Sequence, residues 1–277
     1  MTKKAAVIND LSGFGKCSLC ASIAVLSAMG IQPCPMPTAI LTNQSGFSNY
    51  SCVDFTENLK SYIEIWKKNN AVFDGIYSGY ISNIKQIDII SEFIDTFRTQ
   101  NTLVLVDPVM ADNGKVYKGY SSEMCRKMSD LAAKADFITP NLTELCILTE
   151  SNYDDVFCME IDEKLSFVKQ RAHMLAEKNN QTVIVTGISD EVKINNCAFG
   201  SDEDLIISAN YFDESFSGTG DLLASLVFGY MLKGENVKTA LEKAGLFLEK
   251  SIADTVCQKV FDPNHGVEFE KNIYMLT

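Results

Sequence analysis

Ala5-Ala6-Val7-Ile8-Asn9 is followed by Asp10-Leu11-Ser12-Gly13 and then by a helical pattern over 17–29. A short apolar run, a polar loop with a glycine and an amphipathic stretch read as strand, turn and helix. The same order recurs: strand patterns over 5–9, 72–78, 102–106, 136–139 and 182–186 alternate with helical patterns over 17–29, 56–69, 84–99, 122–133, 142–149 and 162–179. Alternation at this spacing predicts right-handed crossovers and a three-layer α/β fold, a mostly parallel central sheet with helices on both faces. After Thr186 the pattern changes to strand runs over 193–199 and 204–209, joined by Gly200-Ser201-Asp202-Glu203. That polar turn predicts an antiparallel edge hairpin, and helical patterns over 220–233 and 237–252 follow. With 277 residues and no repeat or linker-like stretch, residues 1–277 read as one domain.

Hydrophobic residues make up 46% of the chain and charged residues 22%, a globular composition. The 36 acidic side chains outnumber 24 basic ones, giving a formal charge of −12 with no basic block. This argues against nucleic acid or an anionic membrane as partner, and no apolar run reaches membrane-spanning length. Met1-Thr2-Lys3-Lys4 leads into a strand rather than an apolar leader, so a cytoplasmic location is expected. The nine cysteines are scattered and odd in number, unlike a disulfide framework, and are expected to be reduced and mostly buried. Cys17 and Cys20 form an isolated C-x-x-C, read as helix packing rather than redox or zinc chemistry.

In open α/β sheets, ligands bind beyond the carboxyl ends of the strands. There lie Asn9 to Gly13, Gly79-Tyr80, Asp107-Pro108-Val109-Met110, Thr139-Pro140-Asn141 and Thr186-Gly187. Phe216-Ser217-Gly218-Thr219-Gly220-Asp221 opens an apolar helix. Two glycines free the backbone N–H groups, the helix dipole points its positive end at the turn, and a carboxylate sits beside it. This suits phosphoryl transfer with Asp221 accepting a proton, although an ordinary turn with Asp221 as a cap has the same pattern. Asn141 and Glu144 are three apart, as in a hydrated Mg²⁺ site or a capping box. Asp107 and Asp112 are two carboxylates just past a buried strand, or turn residues in solvent. Thr42 to Phe47 is a polar loop that can contact a substrate ring or lie at the surface. Gly13-Phe14-Gly15-Lys16-Cys17-Ser18 completes neither G-x-G-x-x-G nor a P-loop.

Taken in order, Ser12-Gly13 with Gly15, Pro37-Thr38-Ala39 leading to Asn43-Gln44-Ser45-Gly46, Ser78-Gly79-Tyr80, Asp107-Pro108-Val109-Met110, Thr139-Pro140-Asn141 with Glu144, and the 216–221 loop resemble the pyridoxal and pyridoxamine kinases of the ribokinase-like superfamily. The resemblance covers about residues 9–252. It implies a homodimer that uses MgATP to phosphorylate the 5′-hydroxymethyl group of a vitamin B6 vitamer, and leaves a monovalent cation open. It assigns Asp221 as general base and Gly218, Thr219 and Gly220 as the anion hole. It places Ser12, Ser45, Gly46 and Tyr80 at the pyridine ring. To ATP it gives Asp107, Asp112, Thr139, Asn141, Glu144, Thr186, Gly187 and Thr219, with Asn141, Glu144 and Asp107 reaching Mg²⁺ largely through water. Gln44 and Ser45 depart from the His and Thr common in that family, which leaves vitamer preference open. The alternatives are a hydroxymethylpyrimidine kinase, whose glycine loop typically carries a cysteine absent from 217–222, and a non-catalytic B6- or nucleotide-binding protein.

Overall fold

The opening apolar run is strand β1 (Lys4–Ser12), in which Ala5, Ala6, Val7 and Ile8 have no exposed surface. It is followed by α1 (Ser18–Ala28), β2 (Gln32–Leu41), β3 (Cys52–Asp54), α2 (Thr56–Lys68), β4 (Gly75–Ser78) and α3 (Ile84–Phe97). Next come β5 (Leu103–Val106), β6 (Ala111–Asp112), β7 (Lys115–Val116), α4 (Ser122–Ala132), β8 (Phe137–Ile138), α5 (Leu142–Leu148), α6 (Tyr153–Phe157), α7 (Ile161–Asn179), β9 (Thr182–Ser189), β10 (Lys193–Phe199) and β11 (Leu205–Asn210). The chain closes with α8 (Thr219–Leu232), α9 (Val237–Val256) and 3-10 turns at Pro263–His265 and Glu270–Leu276. The structure is a computed structural model describing residues 1–190, 192–200, 203–258 and 260–277. Ser201 and Asp202 of the expected hairpin turn lie outside the described residues.

These residues fall into two units, Met1–Leu103 with Phe212–Thr277, and Val104–Tyr211. In the first, the strand order is β4-β1-β2-β3, with β1 parallel to both β2 and β4. In the second, the order is β5-β8-β9-β10-β11, parallel from β5 to β9 and antiparallel from β9 to β11. The α/β class, the mostly parallel sheet and the edge hairpin are therefore as expected.

The sequence reading places no strand over 32–41, where Pro33, Pro35 and Pro37 each lack a backbone donor and so count against a strand by local rules. Their alternation resolves the difficulty. Gln32 donates its N–H toward β1, to Lys3 O at 2.8 Å, so the odd-numbered positions face the other way. On that side β3 pairs only with Ala39, Ile40 and Leu41, so the prolines sit where no ladder bond is required. They also blunt an open strand edge. The register of β1 against β2 shifts between Asn9 and Leu11, a bulge beside residues of the candidate site.

The reading also passes over β6 and β7, although Asn113-Gly114 lies between them with φ of 49° and 74°. Two left-handed residues in an Asn-Gly pair are the two-residue hairpin signature. Helix α8 is buried nearly all round, from Leu222 through Tyr230. The Ser225 hydroxyl donates to Ser22 Oγ at 2.9 Å and so ties α8 to α1. This packing brings the start of α8 against the loop that follows β1.

Candidate active site

Gly218 is the N-cap of α8, in the left-handed region at φ 83°, and no side chain caps the helix. Its first-turn N–H groups have no intrahelical acceptor and are concentrated at the positive end of the dipole. Thr219 Oγ1 donates to Phe216 O at 3.1 Å and braces the turn. Gly220 is exposed, and apart from its chain neighbours and the backbone of its own helix no described atom lies within 4 Å of where its Cβ would be.

Asp221 is half-buried and does not cap its own helix, which overturns that reading. Its Oδ2 instead accepts from the backbone N–H of Ser18 at 2.8 Å, and its Oδ1 accepts from Asn9 Nδ2 at 2.9 Å. Burial, with a further contribution from Asp10, raises its pKa to about 6 against these two donors. A carboxylate poised there is ionised at neutral pH yet basic enough to take a proton. Ser18 adopts φ 52°, a strained conformation for a residue with a side chain.

Asn9 is fully buried, and sequence reasoning quotes it without assigning it a role. Its Oδ1 accepts from the N–H groups of Asp10 at 2.9 Å and Tyr80 at 2.8 Å, so its amide nitrogen must face Asp221. Its place at the carboxyl end of β1 is the signal that could have found it. A side chain at Gly79 would collide with this amide. Asp10 is buried, which raises its pKa, and Ser12 donates its hydroxyl to Asp10 Oδ2 at 2.9 Å. Ser12 can thus offer a substrate only lone pairs. Tyr80 is half-buried with its carbonyl accepting from Thr38 Oγ1 at 2.9 Å, and its phenol is pushed up to about 12 by burial and Asp10. Ser45 and Gly46 are exposed on their loop. Their neighbour Gln44 is buried, accepts from Gly46 N–H at 2.6 Å and donates to Asn264 O at 3.0 Å.

The first unit therefore brings Asn9, Asp10, Ser12, Tyr80 and Asp221 together through direct bonds. Cys17 packs beneath them, its thiol pushed up to about 12 chiefly by burial, and Cys20 donates to Ser12 O at 3.1 Å. Such a thiol is not a nucleophile at neutral pH, in keeping with the packing role. All nine cysteines are unpaired, but four are buried and three exposed, so "mostly buried" does not hold.

In the second unit, Asn141 and Glu144 form a capping box: Asn141 Oδ1 accepts from Glu144 N–H and Glu144 Oε2 accepts from Asn141 N–H, both at 2.9 Å. Glu144 Oε1 also accepts from Met110 N–H at 3.1 Å, and Asn141 Nδ2 donates to Ala111 O at 2.8 Å. Burial and neighbouring Asp107 raise the Glu144 carboxyl well above the usual range. The buried carboxylate pair is thus Asp107 with Glu144. Asp112 is an exposed residue of the β6–β7 hairpin whose side chain binds Asn113 N–H at 2.9 Å. Thr139 is buried with its hydroxyl unpartnered, and the Asn141–Thr186 bridge aligns the two strand ends. Gly187 is exposed beside Thr186, at φ 73°.

Among the described residues, no three His, Cys, Asp or Glu side chains cluster as metal ligands. Two hard carboxylates whose charges oppose one another fit a divalent cation that keeps most of its water, as Mg²⁺ does. Asn141, both ends of whose amide are committed, fits the helix cap better than the metal.

A family model described as phosphomethylpyrimidine kinase matches residues 17–266. A crystal structure from Bacteroides thetaiotaomicron, described as a candidate phosphomethylpyrimidine kinase in a form with pyridoxal, is 36% identical, with a TM-score of 0.92 over 100% of this chain and 96% of that one. A pyridoxal kinase from Dictyostelium discoideum is 24% identical over 267 residues, 92% of this chain and 86% of the relative. A hydroxymethylpyrimidine/phosphomethylpyrimidine kinase from Helicobacter pylori is 28% identical over 193 residues, 68% of this chain and 66% of the relative.

Proposed function

The chain belongs to the phosphomethylpyrimidine kinase family and is a kinase, a phosphotransferase; from that premise we propose that it transfers the γ-phosphoryl group of ATP to the 5′-hydroxymethyl group of a vitamin B6 vitamer. The observation that carries this reading is Asp221, at a pKa of about 6, fixed by Asn9 and Ser18 on the first turn of α8 beside the N–H groups of residues 218–220. Asp221 takes the proton of the attacking alcohol. The N–H groups of Gly218, Thr219 and Gly220 stabilise charge on the transferring phosphoryl, so positioning and electrostatics supply the catalysis. Mg²⁺, when bound, neutralises phosphate charge; Asp107 and Glu144 would hold it through water. Thr139, Thr186 and Gly187 serve the nucleotide. The pyridine ring meets Tyr80, the acceptor lone pairs of Ser12, and Ser45. The pyridoxal form of the 36% identical Bacteroides protein supports this substrate. We further propose that residues 1–277 act as one cytoplasmic domain in a homodimer.

The test is kcat/KM for pyridoxal, pyridoxamine, pyridoxine, hydroxymethylpyrimidine and ribose with MgATP. A B6 vitamer is expected to give the highest value. Hydroxymethylpyrimidine in first place would establish the second reading, which the Helicobacter relative favours. No turnover of any alcohol by folded protein would leave the binding-protein reading.

Glu144→Gln should raise the Mg²⁺ concentration for half-maximal rate about tenfold, since an outer-shell carboxylate supplies charge an amide lacks. Its new NH₂ group also faces a backbone donor, from Met110 or Asn141, so Tm falls as well. A lower Tm with an unmoved Mg²⁺ midpoint would confine Glu144 to its capping box.

A further inference from the structure

Three successive carbonyls near the carboxyl terminus each accept from a different loop of the candidate site. Pro263 O accepts from Ser217 N–H at 3.1 Å, beside the anion hole. Asn264 O accepts from Gln44 Nε2 at 3.0 Å, on the loop of Ser45 and Gly46. His265 O accepts from Lys16 N–H at 3.1 Å, on the loop between β1 and α1. We propose that the 263–265 turn is a positioning element of the reaction, and that the Gln44–Asn264 contact sets the ring loop in register with Asp221.

The turn is anchored on both sides. Asp262 Oδ1 accepts from Asn264 N–H at 2.9 Å, while Val267 and Phe269 are buried just beyond it. Lys16 Nζ then reaches Glu268 Oε1 at 2.7 Å and Glu270 Oε2 at 2.8 Å, fastening the β1–α1 loop to the same segment a second time. The rings of Phe14, Phe47 and His265 meet pairwise at 5.0 to 5.5 Å, one from each of two site loops and one from the turn. Both ends of the Gln44 amide are committed: Nε2 donates to Asn264 O and to Asn264 Oδ1, and Oε1 accepts from Gly46 N–H. Gln44 therefore acts through the loop it fixes, and a loop displaced by about 1 Å is enough to cost catalysis on the order of a hundredfold.

This rests on the proposed kinase reading, and the experiment keeps the two apart by following turnover of pyridoxal and of hydroxymethylpyrimidine in parallel. Gln44→Glu keeps the size of the side chain and the acceptor for Gly46 but turns an oxygen toward the two Asn264 oxygens. Gln44→His restores an N–H donor. For the alcohol turned over faster by the parent, Gln44→Glu should raise KM and lower kcat, each about tenfold, with KM for ATP unchanged, and Gln44→His should recover most of the loss. Kinetic constants of Gln44→Glu within twofold of the parent would overturn the proposal. So would a loss that follows Tm alone and that Gln44→His does not repair. A parent preferring hydroxymethylpyrimidine changes the substrate assignment and leaves this comparison standing.

Discussion

Asp221→Asn is expected to lower kcat by about 10²–10⁴, the range over which a positioned general base contributes. Removing the carboxylate removes the proton acceptor, while the first-turn N–H groups of α8 stay in place, so the dissociation constant for ATP should change little. The two donors facing this side chain, Asn9 Nδ2 and Ser18 N–H, make the asparagine an imperfect replacement, because its NH₂ must oppose one of them. Tm is therefore measured alongside. In the parent, Asp221 titrates near 6, raised mainly by burial, and only the ionised form can accept the proton. The sign follows: kcat/KM, which reports the unliganded enzyme, should be level above about pH 7 and fall roughly tenfold per unit below pH 6, and in Asp221→Asn that acid limb should vanish. Turnover within a few-fold of the parent, or an acid limb that survives the substitution, would reject Asp221 as the base.

The alternation of strands and helices was legible because each element obeys local rules: β-branched runs for strands, amphipathic periods for helices, and glycine or proline between them. β2 was hidden because its three prolines violate the local rule for a strand, and only the register against β1 shows that the missing donors face an open edge. Asp221 stood out by its place in a glycine-rich turn. Asn9 did not, since its role depends on Tyr80 and Asp221, 71 and 212 residues away in sequence. The pairing of carboxylates had the same character. Asp107 and Asp112 are close in sequence, yet burial joins Asp107 to Glu144 and leaves Asp112 on a hairpin. Likewise the 263–265 turn has an unremarkable sequence and acquires its place in the site only through backbone carbonyls, which no residue type announces.

Gly218 and Gly220 differ in what they do for the anion hole, and an alanine at each should separate fold from chemistry. At Gly218, φ is 83°, and a Cβ would press into the carbonyl of Lys16 and the Cα and Cβ of Cys17. Backbone must move to admit it, and the N–H groups at the start of α8 move with it. Gly218→Ala should thus lower kcat by about 10²–10³, as for loss of an oxyanion donor, and lower Tm through left-handed strain of about 1–3 kcal/mol. At Gly220, inside the first turn, a Cβ meets nothing within 4 Å beyond its chain neighbours and its own helix backbone. Replacing a helical glycine there stabilises by up to about 1 kcal/mol, so Gly220→Ala should hold or raise Tm. If the open space at Gly220 is where the transferring phosphoryl binds, the added methyl group occupies it, and kcat/KM should fall although the protein is more stable. Rising stability with falling turnover is a combination that a purely structural turn does not produce. Gly220→Ala with full activity would show that the transferring phosphoryl does not bind in the space over Gly220 and would leave the case for Asp221 to its own substitution.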